Sequence, residues 1–81
     1  MRIRQITGNK KKYLPLLLIG DEQESMIDRY LNCGDMFGMF NGEEIIAEIV
    51  ITNEGGGTYE IKNIAVASGY RKKGYARRMV N

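Results

Sequence analysis

The sequence predicts an α+β fold, a mixed but mostly antiparallel sheet with flanking helices, and three observations carry that expectation. The chain opens on an alternating polar–apolar run, residues 2–7. An Asn-Gly pair and a run of three glycines each separate apolar, β-branched segments in the middle of the chain. Helix-like spacing of apolar side chains occupies much of residues 10–33, and a basic segment with a second helical pattern closes the sequence.

Arg2-Ile3-Arg4-Gln5-Ile6-Thr7 reads as a half-buried strand, punctuated by Gly8 and Asn9. Residues 10–19 mix three lysines with Leu14, Leu16, Leu17 and Leu18 and read as a short helix. Pro15 is costly inside a helix but tolerated in the first turn, which suits a helix starting near Leu14. Asp21 and Glu24 have the spacing of a capping box. Met26, Ile27, Tyr30 and Leu31 then form one apolar stripe, and Gly34 after Cys33 is expected to supply a left-handed cap.

Met36-Phe37-Gly38-Met39-Phe40 and the β-branched run of residues 43–52 flank Asn41-Gly42. Asn-Gly is the preferred two-residue hairpin turn because both residues tolerate positive φ. Asn53-Glu54-Gly55-Gly56-Gly57 makes a further turn, and Thr58–Val66 reads as the returning strand. Ala67-Ser68-Gly69 ends it. A helix is expected from Arg71 through Tyr75, Met79 and Val80.

At 81 residues the chain allows one small domain, with 43% hydrophobic and 27% charged residues, a globular balance that argues against disorder. A domain of this size buries only about 60% of its unfolded surface. Cys33 is the sole cysteine, so no internal disulfide is expected. No signal-peptide core is visible, and the longest apolar run, Leu16-Leu17-Leu18-Ile19, is far short of a membrane span. A reducing, cytoplasmic location without a membrane partner is expected. Histidine is absent and the thiol is alone, so no transition-metal site is expected.

The net charge of +2 is unevenly spread. Residues 1–60 hold ten acidic and six basic side chains, a balance of −4. The remaining residues hold Lys62, Arg71, Lys72, Lys73, Arg77 and Arg78 and no acid, a balance of +6. That asymmetry points to an anion near the end of the chain.

The chemistry-bearing stretch is Ile64-Ala65-Val66-Ala67-Ser68-Gly69-Tyr70-Arg71-Lys72-Lys73-Gly74-Tyr75-Ala76-Arg77. A strand ends, a loop turns, and a helix starts at a basic, glycine-containing segment. Helix N-termini offer unpaired peptide N–H groups and a partial positive charge, which suit a phosphate. Small Gly74 and Ala76 would let a diphosphate approach the backbone. The segment lacks the Walker A pattern and the three-glycine dinucleotide fingerprint.

Arg71-x-x-Gly74-x-Ala76, preceded by Ile64-Ala65-Val66, resembles the signature of the GNAT superfamily of N-acetyltransferases. The resemblance implies acetyl-CoA (coenzyme A) as cofactor. It implies that the peptide groups around Ile64, Ala65 and Val66 pair with the pantetheine arm. Arg71, Lys72, Lys73, Gly74, Tyr75, Ala76 and Arg77 would hold the pyrophosphate, mainly through main-chain N–H groups. Glu60, six residues before Val66, stands where a branch of the family places a catalytic glutamate, the base that deprotonates the acceptor amine. The implied general acid, a tyrosine, belongs to the second half of such a domain, and residues 1–81 are expected to be the N-terminal portion of one domain. Self-association, as a homodimer or otherwise, is expected through an unpaired edge of the Thr58–Val66 strand.

Competing readings stand beside these. The basic segment could be a solvated helix face or a nucleic-acid patch. Glu60 could be an exposed carboxylate paired with a cross-strand lysine. Cys33 is expected to be buried packing at a helix end, and Met36, Phe37, Met39 and Phe40 to be core and cleft lining. Tyr70 and Tyr75 read as packing beside the cofactor loop. Three functional classes follow: an enzyme acetylating a small-molecule or peptide amine, a coenzyme-A-binding module without catalysis, and a small basic nucleic-acid-binding domain.

Overall fold

The computed structural model describes residues 1–71 and 73–80. Strand β1 (Arg2–Ile6) leads through a 3-10 turn at Lys10–Tyr13 to helices α1 (Leu14–Gly20) and α2 (Glu24–Leu31). Strands β2 (Asp35–Asn41), β3 (Glu44–Gly55) and β4 (Thr58–Val66) follow, then a 3-10 turn at Ser68–Tyr70 and helix α3 (Tyr75–Val80). The four strands form one sheet in the order β1-β2-β3-β4, each pair antiparallel. The α+β expectation holds, with β4 at an edge of the described sheet.

Helices α1 and α2 cover one face, where Ile6, Leu17, Ile27, Tyr30, Leu31, Met36, Phe40 and Val50 form the larger core. Helix α3 covers the other, where Met39, Ile46 and Ala47 pack with Val66, Tyr70, Tyr75 and Met79. Met36, Met39 and Phe40 are buried as expected, while Phe37 is half-buried.

Several local expectations are corrected. Pro15 sits in the first turn of α1, so residues 10–13 form a separate 3-10 turn instead of continuing one helix. Asp21 does not cap α2. Gln23 occupies that position without a side-chain bond, and the Asp21 carboxylate accepts from the Gln23 N–H at 3.1 Å and the Tyr30 hydroxyl at 3.2 Å. Tertiary contact with Tyr30 thus draws away the side chain a capping box would use.

Gly34 is not a left-handed cap either, since its φ is not positive. It is small for another reason: a Cβ there would lie 2.9 Å from both the Tyr30 carbonyl oxygen and Val50 Cγ1. Cys33 is exposed, not buried, because the apolar side of α2 ends at Leu31. Met26 also faces outward, 39% exposed. The β2–β3 turn falls one residue later than Asn41-Gly42 suggests. Asn41 pairs with Glu44, leaving Gly42 and Glu43 as the loop, and only Gly42 has positive φ, at 63°. Helix α3 starts at Tyr75, so Arg71 lies before it in extended backbone, with φ −69° and ψ 156°.

Three register shifts shape the sheet, one of them at the β3–β4 turn, where pairing passes from Asn53↔Tyr59 to Gly55↔Thr58 and leaves Glu54 as the extra residue. Register passes from Met39↔Ala47 to Phe40↔Ile45, leaving Ile46 as the extra residue of β3. It passes from Val50↔Asn63 to Ile51↔Ile61, leaving Lys62 as the extra residue of β4. Such bulges bend a strand and re-aim its side chains.

Candidate functional site

The edge of β4 follows from the ladder. Ala67 N–H donates to the Ile46 carbonyl at 2.8 Å, so it points toward β3. Peptide groups alternate along an antiparallel strand, which turns those of Ile64 and Val66 outward and those of Ala65 inward. Ala65 is therefore part of the ladder opposite Glu48, with its side chain buried, whereas Ile64 and Val66 are half-buried and carry the outer edge. The Arg71 Nε–H donates to the Val66 carbonyl at 3.3 Å, a contact possible only because that carbonyl faces away from β3.

Past Val66 the chain turns through Ser68–Tyr70 and rises to α3. Tyr70 and Tyr75 pack edge-to-face, ring centroids 6.0 Å apart, and the Tyr70 hydroxyl donates to Glu44 at 2.9 Å. These tyrosines are the packing residues their positions suggested, and they seat α3 against the sheet. Gly74 has φ 77°, a left-handed conformation that favours glycine, and open space surrounds its Cβ direction. Arg78 N–H donates back to the Gly74 carbonyl at 3.1 Å, so the N–H groups of Tyr75, Ala76 and Arg77 precede the first intrahelical donor. Lys73 and Arg77 are exposed, and Tyr75 and Ala76 are half-buried. Lys72 lies outside the described residues.

Glu60 lies at the other end of β4, opposite Thr52. Its carboxylate is 3.1 Å from Lys62 Nζ, with side-chain exposures of 53% for Glu60 and 30% for Lys62. The partner is thus a lysine two residues along the same strand, not one across the ladder, because residues i and i+2 of a strand share a face. Thr52 and Lys62 line a groove of about 520 Å³ with Met26, Arg29, Tyr30 and Cys33. Glu60 is not among the lining residues but neighbours two of them, Thr52 across the ladder and Lys62 through the ion pair.

One titratable group escaped the sequence reading. Glu48 is fully buried in the middle of β3, and neither carboxylate oxygen has a hydrogen-bond partner. Burial pushes its carboxyl up from 4.5 to about 8. The available signal was a lone acid inside the run Ile45-Ile46-Ala47-Glu48-Ile49-Val50-Ile51.

The sequence model of the GNAT acetyltransferase family matches residues 9–81. The chain belongs to the GNAT acetyltransferase family. It is 34% identical over 65 residues to the uncharacterized N-acetyltransferase YvbK of Bacillus subtilis (strain 168), an alignment covering 80% of this chain and 42% of that protein. A GNAT family acetyltransferase from Elizabethkingia anophelis, solved with acetyl-CoA bound, superposes with a TM-score of 0.90 at 32% identity. A Bacillus subtilis acetyltransferase solved in complex with CoA superposes at 0.88 and 30% identity. Both comparisons cover 98% of this chain and 52% of the other. The 81 residues thus span about half the length of the relatives they match. No helix among the described residues is long and apolar enough to cross a membrane.

Proposed function

We propose that this chain is the acetyl-coenzyme-A-binding portion of an N-acetyltransferase that moves an acetyl group from acetyl-CoA to a primary amine. The observation that carries this reading is the outward peptide edge of Ile64 and Val66 running directly into the Gly74–α3 junction. A cofactor with an amide-bearing arm and a diphosphate needs those two features in that order. The relatives solved with acetyl-CoA and CoA support the same assignment.

The pantetheine arm would pair with Ile64 and Val66, displacing the Arg71 contact to the Val66 carbonyl. The diphosphate would meet the N–H groups of Tyr75, Ala76 and Arg77, with Arg71, Lys72, Lys73 and Arg77 adding charge and Gly74 leaving room. Bound there, acetyl-CoA supplies an activated acyl group. Glu60 would take the proton from the acceptor ammonium, a step needed because a lysine-like amine has a pKa of about 10.4. The ammonium of Lys62 beside Glu60 favours this role, since it occupies the position an acceptor amine would take. The exposed, unpaired thiol of Cys33 suits a reducing compartment such as the cytoplasm.

Thermal unfolding with ligand tests the reading. Coenzyme A should raise the melting temperature and pantetheine should raise it less, since only the former carries the diphosphate. Gly74→Val should abolish the shift, because a β-branched residue is strained at φ 77° and would fill the approach to the backbone. Lys73→Ala should only reduce it. No shift at millimolar coenzyme A would remove the proposal, and equal losses in the two variants would remove main-chain recognition.

A further inference from the structure

The ammonium of Lys62 stands 3.1 Å from the carboxylate of Glu60, on the strand whose outer edge is assigned to the cofactor arm. We propose that Lys62 is itself an acetyl acceptor, modified within the molecule by the acetyl-CoA bound along β4. The inference rests on the functional reading above and adds a modification site to it.

The direction of the arm is the first argument. A diphosphate held between Arg71 and Arg77 lies beyond the C-terminal end of β4, so an arm pairing with Val66 and then Ile64 runs back along the strand toward Lys62. Residues 62 and 64 are separated by about 6–7 Å of strand. The flexible four-carbon stem of a lysine spans a gap of that size.

The bulge is the second argument. Lys62 shares a face of β4 with Glu60 two residues before it, and the bulge puts it on the side of Asn63 as well, where it lines the groove with Arg29, Tyr30 and Thr52. Its side chain is 30% exposed, open enough to be reached and ordered enough to be held. It already touches the group assigned as base, whereas Lys11 pairs with Glu24 and Asp28 on the helical side and Lys10 is tied to the Leu31 and Gly34 carbonyls.

The transfer balances without another reactant. One proton of the Lys62 ammonium passes to Glu60, and the freed amine attacks the thioester carbonyl carbon. The N–C bond forms, the C–S bond breaks, and the departing thiolate takes a second proton from the same nitrogen. The products are the lysine amide, free coenzyme A and one proton on Glu60, which exchanges with solvent. The amide carries no charge, so the ion pair with Glu60 is lost and the carboxylate becomes available to an external amine.

The test is peptide mapping by mass spectrometry after incubating the 81-residue chain with acetyl-CoA. Exposed Lys11 and Lys12 serve as references for uncatalysed acetylation. Lys62 should be modified at least about tenfold faster than either, at a fractional rate independent of protein concentration. Glu60→Gln should slow it at least about tenfold, since loss of a positioned base costs roughly a hundredfold or more and only the uncatalysed background limits the fall. Lys62→Arg should abolish the fast phase while coenzyme A still raises the melting temperature. Modification of Lys62 no faster than Lys12, a rate that climbs with protein concentration, or indifference to Glu60→Gln would overturn the inference. If coenzyme A stabilises the chain yet Lys62 stays unmodified, this inference alone falls. If coenzyme A gives no stabilisation, the functional reading falls with it.

Discussion

Asn63 donates its side-chain amide to the Tyr30 hydroxyl at 2.9 Å, tying the edge strand β4 to helix α2. The same amide donates to the Leu17 carbonyl at 3.0 Å, so one side chain holds both helices over the sheet. Tyr30 donates in turn to Asp21, which fixes the turn between α1 and α2. The wall of the groove beside Glu60 is therefore positioned from the strand whose outer edge is proposed for the cofactor arm.

Asn63→Ala should destabilise the chain by about 1–3 kcal/mol, because it removes two buried hydrogen bonds at once, to the Leu17 carbonyl and the Tyr30 hydroxyl. Tyr30→Phe should cost less, as it removes one hydroxyl and leaves the ring packed. Urea titration of both variants measures the difference. Equal costs would mean that the Asn63 bond to the Leu17 carbonyl adds nothing beyond the bonds of the Tyr30 hydroxyl.

Glu48→Gln should stabilise the chain and flatten its pH dependence. The folded-state pKa of about 8 lies above the unfolded value of 4.5, so the folded form retains the proton longer. Stability contributed by this group therefore falls as pH rises from about 4.5 to about 8, by up to about 1.4 kcal/mol per unit, and is level outside that window. Glutamine imitates the neutral acid and removes the slope. Melting temperatures across that range decide it: parallel curves for the two proteins would mean that Glu48 is paired and ionised.

Gly34→Ala should cost about 1–3 kcal/mol, since the new methyl meets a carbonyl oxygen and a packed valine at 2.9 Å. Gly8→Ala is the reference, with nothing within 4 Å of its Cβ and no positive φ. It should change stability by less than about 0.5 kcal/mol. Denaturant midpoints test the pair, and a neutral Gly34→Ala would mean that α2 shifts freely on β3.

Self-association, if it uses the outer edge of β4, should compete with coenzyme A for Ile64 and Val66. Sedimentation of the chain should show association that coenzyme A reduces, because the same peptide groups cannot pair twice. A monomer at high micromolar concentration with sharp native spectra would contradict it. Association unchanged by saturating coenzyme A would move it to another surface.

The element order and most of the core were legible from local pattern. Ile27, Tyr30 and Leu31 lie where their spacing put them, and Pro15 sits where its missing N–H costs least. Asp21, Gly34 and Cys33 were misread for one shared reason. Each has the local chemistry of a helix end, but its surroundings come from residues distant in sequence or from the limit of a buried face. Glu48 went unremarked because a strand pattern tolerates one acid, and only the packed sheet reveals that no partner reaches it.

The sequence by itself determined an α+β domain, the succession of its elements and the segment suited to a phosphate, because periodicity and turn chemistry depend on near neighbours. The tertiary structure decided which strand is at the edge, which peptide groups face outward, and that Lys62 turns with Asn63 into the groove beside α2. Those outcomes depend on ladder register, and a single extra residue in β4 reverses which side a side chain faces without altering the composition that sequence patterns read.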